Sequence, residues 1–287
     1  MGYRMSNDKP ALARRLSSSR SPYRLHYIFS EGEKTESMYF NALSKYANKS
    51  DEIEIRVMDR WTINKGNSNQ YKITLEVEKY INSIQSLDSD NIQLLDGLTN
   101  KLKEQELTVA DMFQLVKIVM DLEQDAFIHE GEHLLQQINT ILTMSDYDKE
   151  FDKICIILDR DKQSFKAFQY EEVLNIAEKN DYTLGISNPN FEFFLLLHMN
   201  DLSVLSTEEL INNPKVTSKK RLMESLLKDE CKKNDTTFNK NNYDCEWFLD
   251  NFENGYTNSL NYAHEVEELK ESPGSSLFNI LQELIKP

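Results

Sequence analysis

Cysteine is scarce in this chain of 287 residues, and the three present, Cys155, Cys231 and Cys245, lie far apart with no Cys-x-x-Cys pair. That spacing argues against a disulfide framework and a zinc ribbon, and it fits a reducing cytoplasm. Long apolar runs are missing too: nothing approaches the roughly 18 residues of a membrane-spanning helix, so no membrane association is expected. The opening "MGYRMSNDKPALARRL" has basic residues but no apolar core, which argues against a secretory signal. No Walker phosphate loop occurs, so any ATP hydrolysis belongs to a partner. His129 and His133 stand four apart with no further His or Cys close in sequence, so the histidines offer no zinc spacing. Internal repeats and low-complexity tracts are absent.

Positive charge is the other shortage. The net charge is −15. Residues 1–24 hold six basic side chains and the single acid Asp8, which leaves 27 basic and 47 acidic residues, net −20, for the rest. A chain that bound nucleic acid by smooth charge attraction would not have this balance. One whose carboxylates hold a divalent metal and whose basic arm meets phosphates still fits it. The arm reads equally as a Ser/Arg-rich flexible tail.

What is present is an alternation of strand and helix. The hydrophobic content of 39% suffices for a core, in one large domain or two small ones. Leu25–Phe29 reads as a buried strand, Glu36–Tyr46 as a helix, "EIEIRVMD" (52–59) as a half-buried strand, and the stretch from Tyr71 as a second helix. Residues 86–108 read as an irregular insertion or connection, "FQLVKIVMD" (113–121) as a third strand, and 134–142 as a helix. The run "KICIILDRD" (153–161) is the most strand-like, followed by a helix (170–179) and a strand (182–186). The pattern predicts an α/β fold with a mostly parallel sheet flanked by helices. Beyond residue 200 the spacing turns helical, with a capping box at Ser206 and Glu209. The expected divisions are a basic arm (1–24), a sheet domain (25–200) with a helical insertion at about 60–128, and a helical C-terminal subdomain (201–287).

Acids gather where the predicted strands end. Glu31, Glu33 and Glu36 crowd the turn after the first strand; they are either solvated surface or the surroundings of something positive. Asp121 and Glu123 follow the third expected strand, and Asp159 and Asp161 the fourth. Loops at the carboxyl ends of parallel strands converge on one edge, where ligands bind. An Asp-x-Asp pair points to one side if its strand continues. Hard oxygen ligands gathered in this way suit Mg²⁺ or Mn²⁺, as one or two ions, and two such ions can serve phosphodiester cleavage.

Glu-Gly after the first strand and Asp-x-Asp after a later apolar strand follow the order of the Toprim domain, in which a Glu and an Asp pair bind divalent metal. "EGEKTESMYF" (31–40), "LDRDKQSF" (158–165) and "SNPNFEFFLLLH" (187–198) together resemble the RloB family, and "SPGSSLFNILQELI" (272–285) is similar to a degraded form of its ending. The resemblance runs from about Arg14 to the C-terminus. It implies a bacterial Toprim-like protein of phage defence, of the AbiL abortive-infection type, working beside an ABC- or AAA-type ATPase and open to homo-oligomerisation. By position it implies Glu31, Asp159 and Asp161 as catalytic metal-binding residues, Glu36 as a further ligand, and Lys34 as a holder of phosphate oxygen or a plain surface lysine. Ser37 and Asn190 depart from the family's usual Pro and Cys.

Lys219, Lys220 and Arg160 are expected to meet substrate, with Glu192, Asn188 and Asp121 as supporting groups. Glu192 is the odd carboxylate in an apolar helical stretch. It pairs with an arginine, approaches a metal, or orients Lys219 or Lys220. His198 reads as a core histidine. Two functions remain open: a metal-dependent nuclease cutting RNA, transfer RNA among the candidates, or DNA in the cytoplasm, or a non-catalytic scaffold that binds an ATPase or nucleic acid and signals by assembly. The absence of a zinc ribbon or strand-passage domain argues against a primase or topoisomerase.

Overall fold

The computed structural model describes residues 24–32, 34–47, 53–58, 70–85, 89–104, 106, 108–121, 143–144 and 147–285. Strand β1 (Arg24–Ser30) is followed by helix α1 (Thr35–Ala47), strand β2 (Ile53–Met58) and helices α2 (Gln70–Gln85), α3 (Ser89–Lys103) and α4 (Val109–Asp121). Then come β3 (Lys153–Asp159), α5 (Ala167–Asn180), β4 (Tyr182–Asn188) and α6 (Phe191–Leu197). The sheet has five strands in the order β2-β1-β3-β4-β7, parallel throughout except where β7 (Gly274–Ser275) runs antiparallel to β4.

Alternate residues of the central strands enter different cores. Leu25, Tyr27 and Phe29 of β1 and Ile154, Ile156 and Leu158 of β3 pack with α2 and α5. Ile28, Cys155 and Ile157 pack with α1, α6 and the C-terminal helices. Burial on both faces is why these strands are almost continuously apolar. The chain winds from β1 outward to β2 and then returns to place β3 on the other side of β1. The crevice beyond the carboxyl ends of β1 and β3 is therefore the topological switch point, where open α/β sheets take their ligands.

Four expectations change. "FQLVKIVMD" lies in helix α4 and not in a strand, with Leu115 and Ile118 buried one turn apart. Asp121 consequently ends a helix rather than a strand. Residues 86–108 contain α3, which buries Ile92, Leu95 and Leu98 at helical spacing. β3 stops at Asp159 and does not reach Asp161. The helix expected at 134–142 and the basic arm 1–23 fall outside the described residues, as do Glu33 and Glu123.

Residues 201–285 carry five α-helices: α7 (Thr207–Asn212), α8 (Leu222–Lys233), α9 (Cys245–Asp250), α10 (Phe252–Ser259) and α11 (Leu277–Ile285). The Ser206–Glu209 capping box is formed. The segment also supplies the hairpin β5 (Phe238–Asn239) and β6 (Asn242–Tyr243), and it adds β7 to the sheet. Its helices share one core with α1 and α6. His198 lies in that core: its Nδ1 donates to the Phe194 carbonyl at 3.1 Å, and burial lowers its pKa to about 4. Among the described residues no helix is long and apolar enough to cross a membrane.

β7 fits only without a side chain at its first position. A Cβ on Gly274 would stand 1.9 Å from the Ala263 carbonyl oxygen, which is backbone and cannot swing aside. Gly274→Ala is expected to cost about 2–3 kcal/mol, lowering the thermal midpoint by roughly 5–10 °C. An unchanged midpoint in a calorimetric melt would contradict this packing.

Candidate functional site

At the switch point the β1–β3 ladder runs one residue past β1: the Glu31 N–H donates to the Ile157 carbonyl at 3.0 Å. The next donor along β3, the Asp159 N–H, is taken by the Glu31 side chain, whose Oε2 accepts it at 3.2 Å. Gln70, at the first turn of α2, donates its amide to Glu31 Oε1 at 3.1 Å. These two donors orient the Glu31 carboxylate. Asp159 Oδ1 accepts the Phe191 N–H at 2.8 Å, which fixes it against the start of α6. Asn190 caps that helix, its side chain accepting the Phe193 N–H at 3.3 Å.

Two further carboxylates come from first helical turns. Glu36, on α1, is 8% exposed, and Glu192, on α6, is 5% exposed. Gly32 makes room for the first of these, since a Cβ there would lie 1.8 Å from Glu36 Oε2. Burial pushes the Glu36 carboxyl up to about 7, with Glu192 and Glu31 adding to the rise and Lys240 opposing it. Burial likewise raises Asp159 well above the usual carboxylate range, followed by the charges of Glu31, Glu36 and Glu192. Four acids from separate segments therefore feel one another at one edge of the sheet.

Beside them opens a cavity of about 490 Å³. Glu36, Asp159, Asp161 and Glu192 form its acidic lining, and Lys34, Arg221 and Lys240 its basic lining. Glu31 is not in the wall. Asp161 stands in the turn after β3, where its Oδ1 accepts the Gln163 N–H at 2.9 Å. Lys240 Nζ is 2.6 Å from Glu192 Oε1, and the charges of Glu192, Glu224 and Asp159 hold it protonated against the pull of burial.

Of the residues expected at the site, Glu31, Lys34, Glu36, Asp159, Asp161 and Glu192 come together. Others are engaged elsewhere. Arg160 is 2% exposed, donates to the Lys270 and Phe165 carbonyls at 3.1 and 2.7 Å, and lies over the Tyr170 ring. That is a structural post, not a substrate contact. Asn188 is buried and donates to the Leu269 and Ser272 carbonyls, both at 2.9 Å, tying β4 to the C-terminal segment. Lys219 and Lys220 are exposed outside the cavity wall, and the lysine paired with Glu192 is Lys240. Asp121 lies at the end of α4.

Lys240, Arg221 and Gln70 escaped the sequence reading. The run "FNKNNY" (238–243) does signal a tight hairpin through its asparagines, but not where that hairpin docks. It docks on the start of α1: the Thr35 hydroxyl donates to the Lys240 carbonyl at 3.2 Å, and the Tyr243 hydroxyl to the Thr35 carbonyl at 2.7 Å.

The donor chemistry fits a hard dication, since every anionic group is a carboxylate, and burial and like charge leave Glu36 and Asp159 short of compensation. Among the described residues, however, no three or more His, Cys, Asp or Glu side chains are placed to hold a metal ion together. A family model described as RloB-like protein matches residues 26–284. No curated protein and no solved structure matches the chain.

Proposed function

The chain belongs to the RloB-like family, and on that premise we propose that it is a divalent-metal-dependent nuclease cleaving phosphodiester bonds of RNA or DNA. The observation that carries this reading is the convergence of Glu31, Glu36, Asp159 and Glu192 at the switch point, where each of Glu36 and Asp159 is raised by the others. Like charges this close are tolerated through protonation, through Lys240, or through a cation. Glu31, Glu36 and Asp159, with Asp161 on the cavity wall, would hold Mg²⁺ or Mn²⁺, as one or two ions. A bound dication supplies Lewis-acid polarisation of the phosphodiester and an activated water.

The chain's own groups have separable tasks. Gln70 and the Asp159 N–H keep the Glu31 carboxylate aimed. The α6 start holds Asp159. Lys34 and Arg221, on the basic wall, offer donors to non-bridging phosphate oxygens. Acidic and basic walls on one cavity suit a phosphodiester that brings its own negative charge to a metal. The family premise extends the proposal to an effector of bacterial anti-phage defence that acts in the cytoplasm, as a homo-oligomer or under a partner ATPase.

Sequencing RNA ends and DNA breaks after brief induction in a bacterial host tests the reading and chooses the substrate. New ends should appear with the wild-type chain and be absent with Asp159→Asn. Identical end profiles from the two would reject it. One observation favours the other reading, a non-catalytic scaffold: among the described residues no three His, Cys, Asp or Glu side chains stand ready around one ion. A scaffold predicts no new ends from either protein.

A further inference from the structure

Lys240 combines a pinned backbone with a movable charge. Its carbonyl and its hairpin are bonded to Thr35, while its side chain is 53% exposed and reaches back to Glu192 at 2.6 Å and Glu224 at 3.8 Å. Glu192 has a side chain only 6% exposed, and Lys240 is the cation paired with it. A compact ammonium on a four-carbon stem can leave one carboxylate for another anion without moving the chain. Lys240 is also part of the cavity wall, so any cation entering that cavity meets it.

Resting on the metal-dependent reading above, we propose that Lys240 is a displaceable counter-ion. Its ammonium compensates Glu192 until a divalent cation takes over that charge, and it then turns into the cavity to hold a phosphate oxygen of the substrate. The tethered ammonium and the dication compete for the same carboxylate field, since Glu192 faces both Lys240 and the Glu36–Asp159 pair. The competition sets a threshold for metal uptake. Substrate, by drawing the ammonium away from Glu192, lowers that threshold, so metal and substrate favour each other's binding. In this scheme Lys240 is a counter-ion before the dication arrives and a substrate-binding residue after it.

The test is calorimetric titration of the purified full chain with Mn²⁺. Lys240→Met keeps the stem and removes the charge, and it should bind Mn²⁺ at least about fivefold more tightly, while Lys240→Arg stays within about twofold of wild type. Lys240→Gln keeps a hydrogen-bond donor for Glu192 and carries the same expectation as Lys240→Met should that variant fail to fold. A merely structural ion pair would give the opposite, since its loss would disorder the cavity and weaken Mn²⁺ binding. With Ca²⁺ present, a short single-stranded phosphorothioate oligonucleotide should bind Lys240→Met at least about fivefold more weakly than wild type. Equal or weaker Mn²⁺ binding in the uncharged variants overturns the counter-ion, and unchanged oligonucleotide affinity overturns the hand-over to phosphate. A wild-type chain that takes up no Mn²⁺ overturns this proposal together with the metal-dependent reading, whereas Mn²⁺ uptake unaltered by Lys240→Met overturns this proposal alone.

Discussion

Asp159→Asn should slow phosphodiester cleavage by at least about 10³-fold, equivalent to about 4 kcal/mol of transition-state stabilisation, while leaving the fold in place. The asymmetry comes from the geometry. Asp159 Oδ1 accepts the Phe191 N–H at 2.8 Å, and an Asn oxygen can accept the same bond, so α6 keeps its start. What the amide cannot supply is a negative charge for a metal or a developing positive charge. Removing that charge also relieves its repulsion with Glu31, Glu36 and Glu192, so the variant should melt no lower than wild type when divalent metal is chelated. Cleavage rates with a labelled oligonucleotide, paired with far-ultraviolet circular dichroism, check both halves. A folded Asp159→Asn protein that cuts at the wild-type rate would remove Asp159 from the mechanism. Glu31→Gln is less clean, because its one carbonyl oxygen can accept from either the Asp159 N–H or the Gln70 amide, and its new NH₂ would face the other, donor against donor.

Glu36→Gln should stabilise the chelated protein at alkaline pH and change little in acid. The sign follows from the direction of the shift. The folded-state pKa, about 7, lies above the ordinary 4.5, so the folded state holds this proton more tightly than the unfolded state does. The cost of ionising Glu36 therefore begins near pH 4.5, grows up to about pH 7, and is complete above it. Its full size is on the order of 3 kcal/mol. In urea unfolding with EDTA present, the variant and wild type should have similar stability at pH 5, and the variant should gain that amount at pH 8. Mg²⁺ should shrink the gain, because wild type recovers compensation for its carboxylates. The same difference between the two proteins at pH 5 and pH 8 would show that Glu36 ionises there without penalty.

The central strands were readable because burial on both faces leaves apolar runs that only a strand of that length accommodates. Leu25–Phe29 and Ile154–Leu158 are such runs. Their terminal acids were readable for a related reason: a carboxylate directly after a fully buried strand has few places to go except the sheet edge. "FQLVKIVMD" misled because its Val and Ile suit a strand by propensity, and only the spacing of Leu115 and Ile118 marks the helix. α3 was obscured by Gly97 and its polar residues, which dilute the stripe of Ile92, Leu95 and Leu98. At the site, the acids and Lys34 belong to short motifs and were found, whereas the other two cations were not. Lys240 and Arg221 are single basic residues in a segment whose docking is set by tertiary contacts such as Tyr243 with Thr35, and no local pattern encodes those contacts. Arg160 failed in the opposite sense: it is adjacent to the acids in sequence, but the alternation of a strand end turns it away, into a nest of carbonyls and rings.

Everything proposed for catalysis requires one dication shared by groups distant in sequence. Anomalous diffraction from crystals of the full chain soaked in Mn²⁺ reads that sharing directly. The account predicts an anomalous peak at the carboxyl end of β1 and β3, within about 2.0–2.3 Å of oxygens of both Glu31 and Asp159, and its loss in Asp159→Asn crystals. Crystals that diffract well and show no peak there at saturating Mn²⁺, or a peak bound by Asp159 with Glu31 turned away from it, would contradict the account.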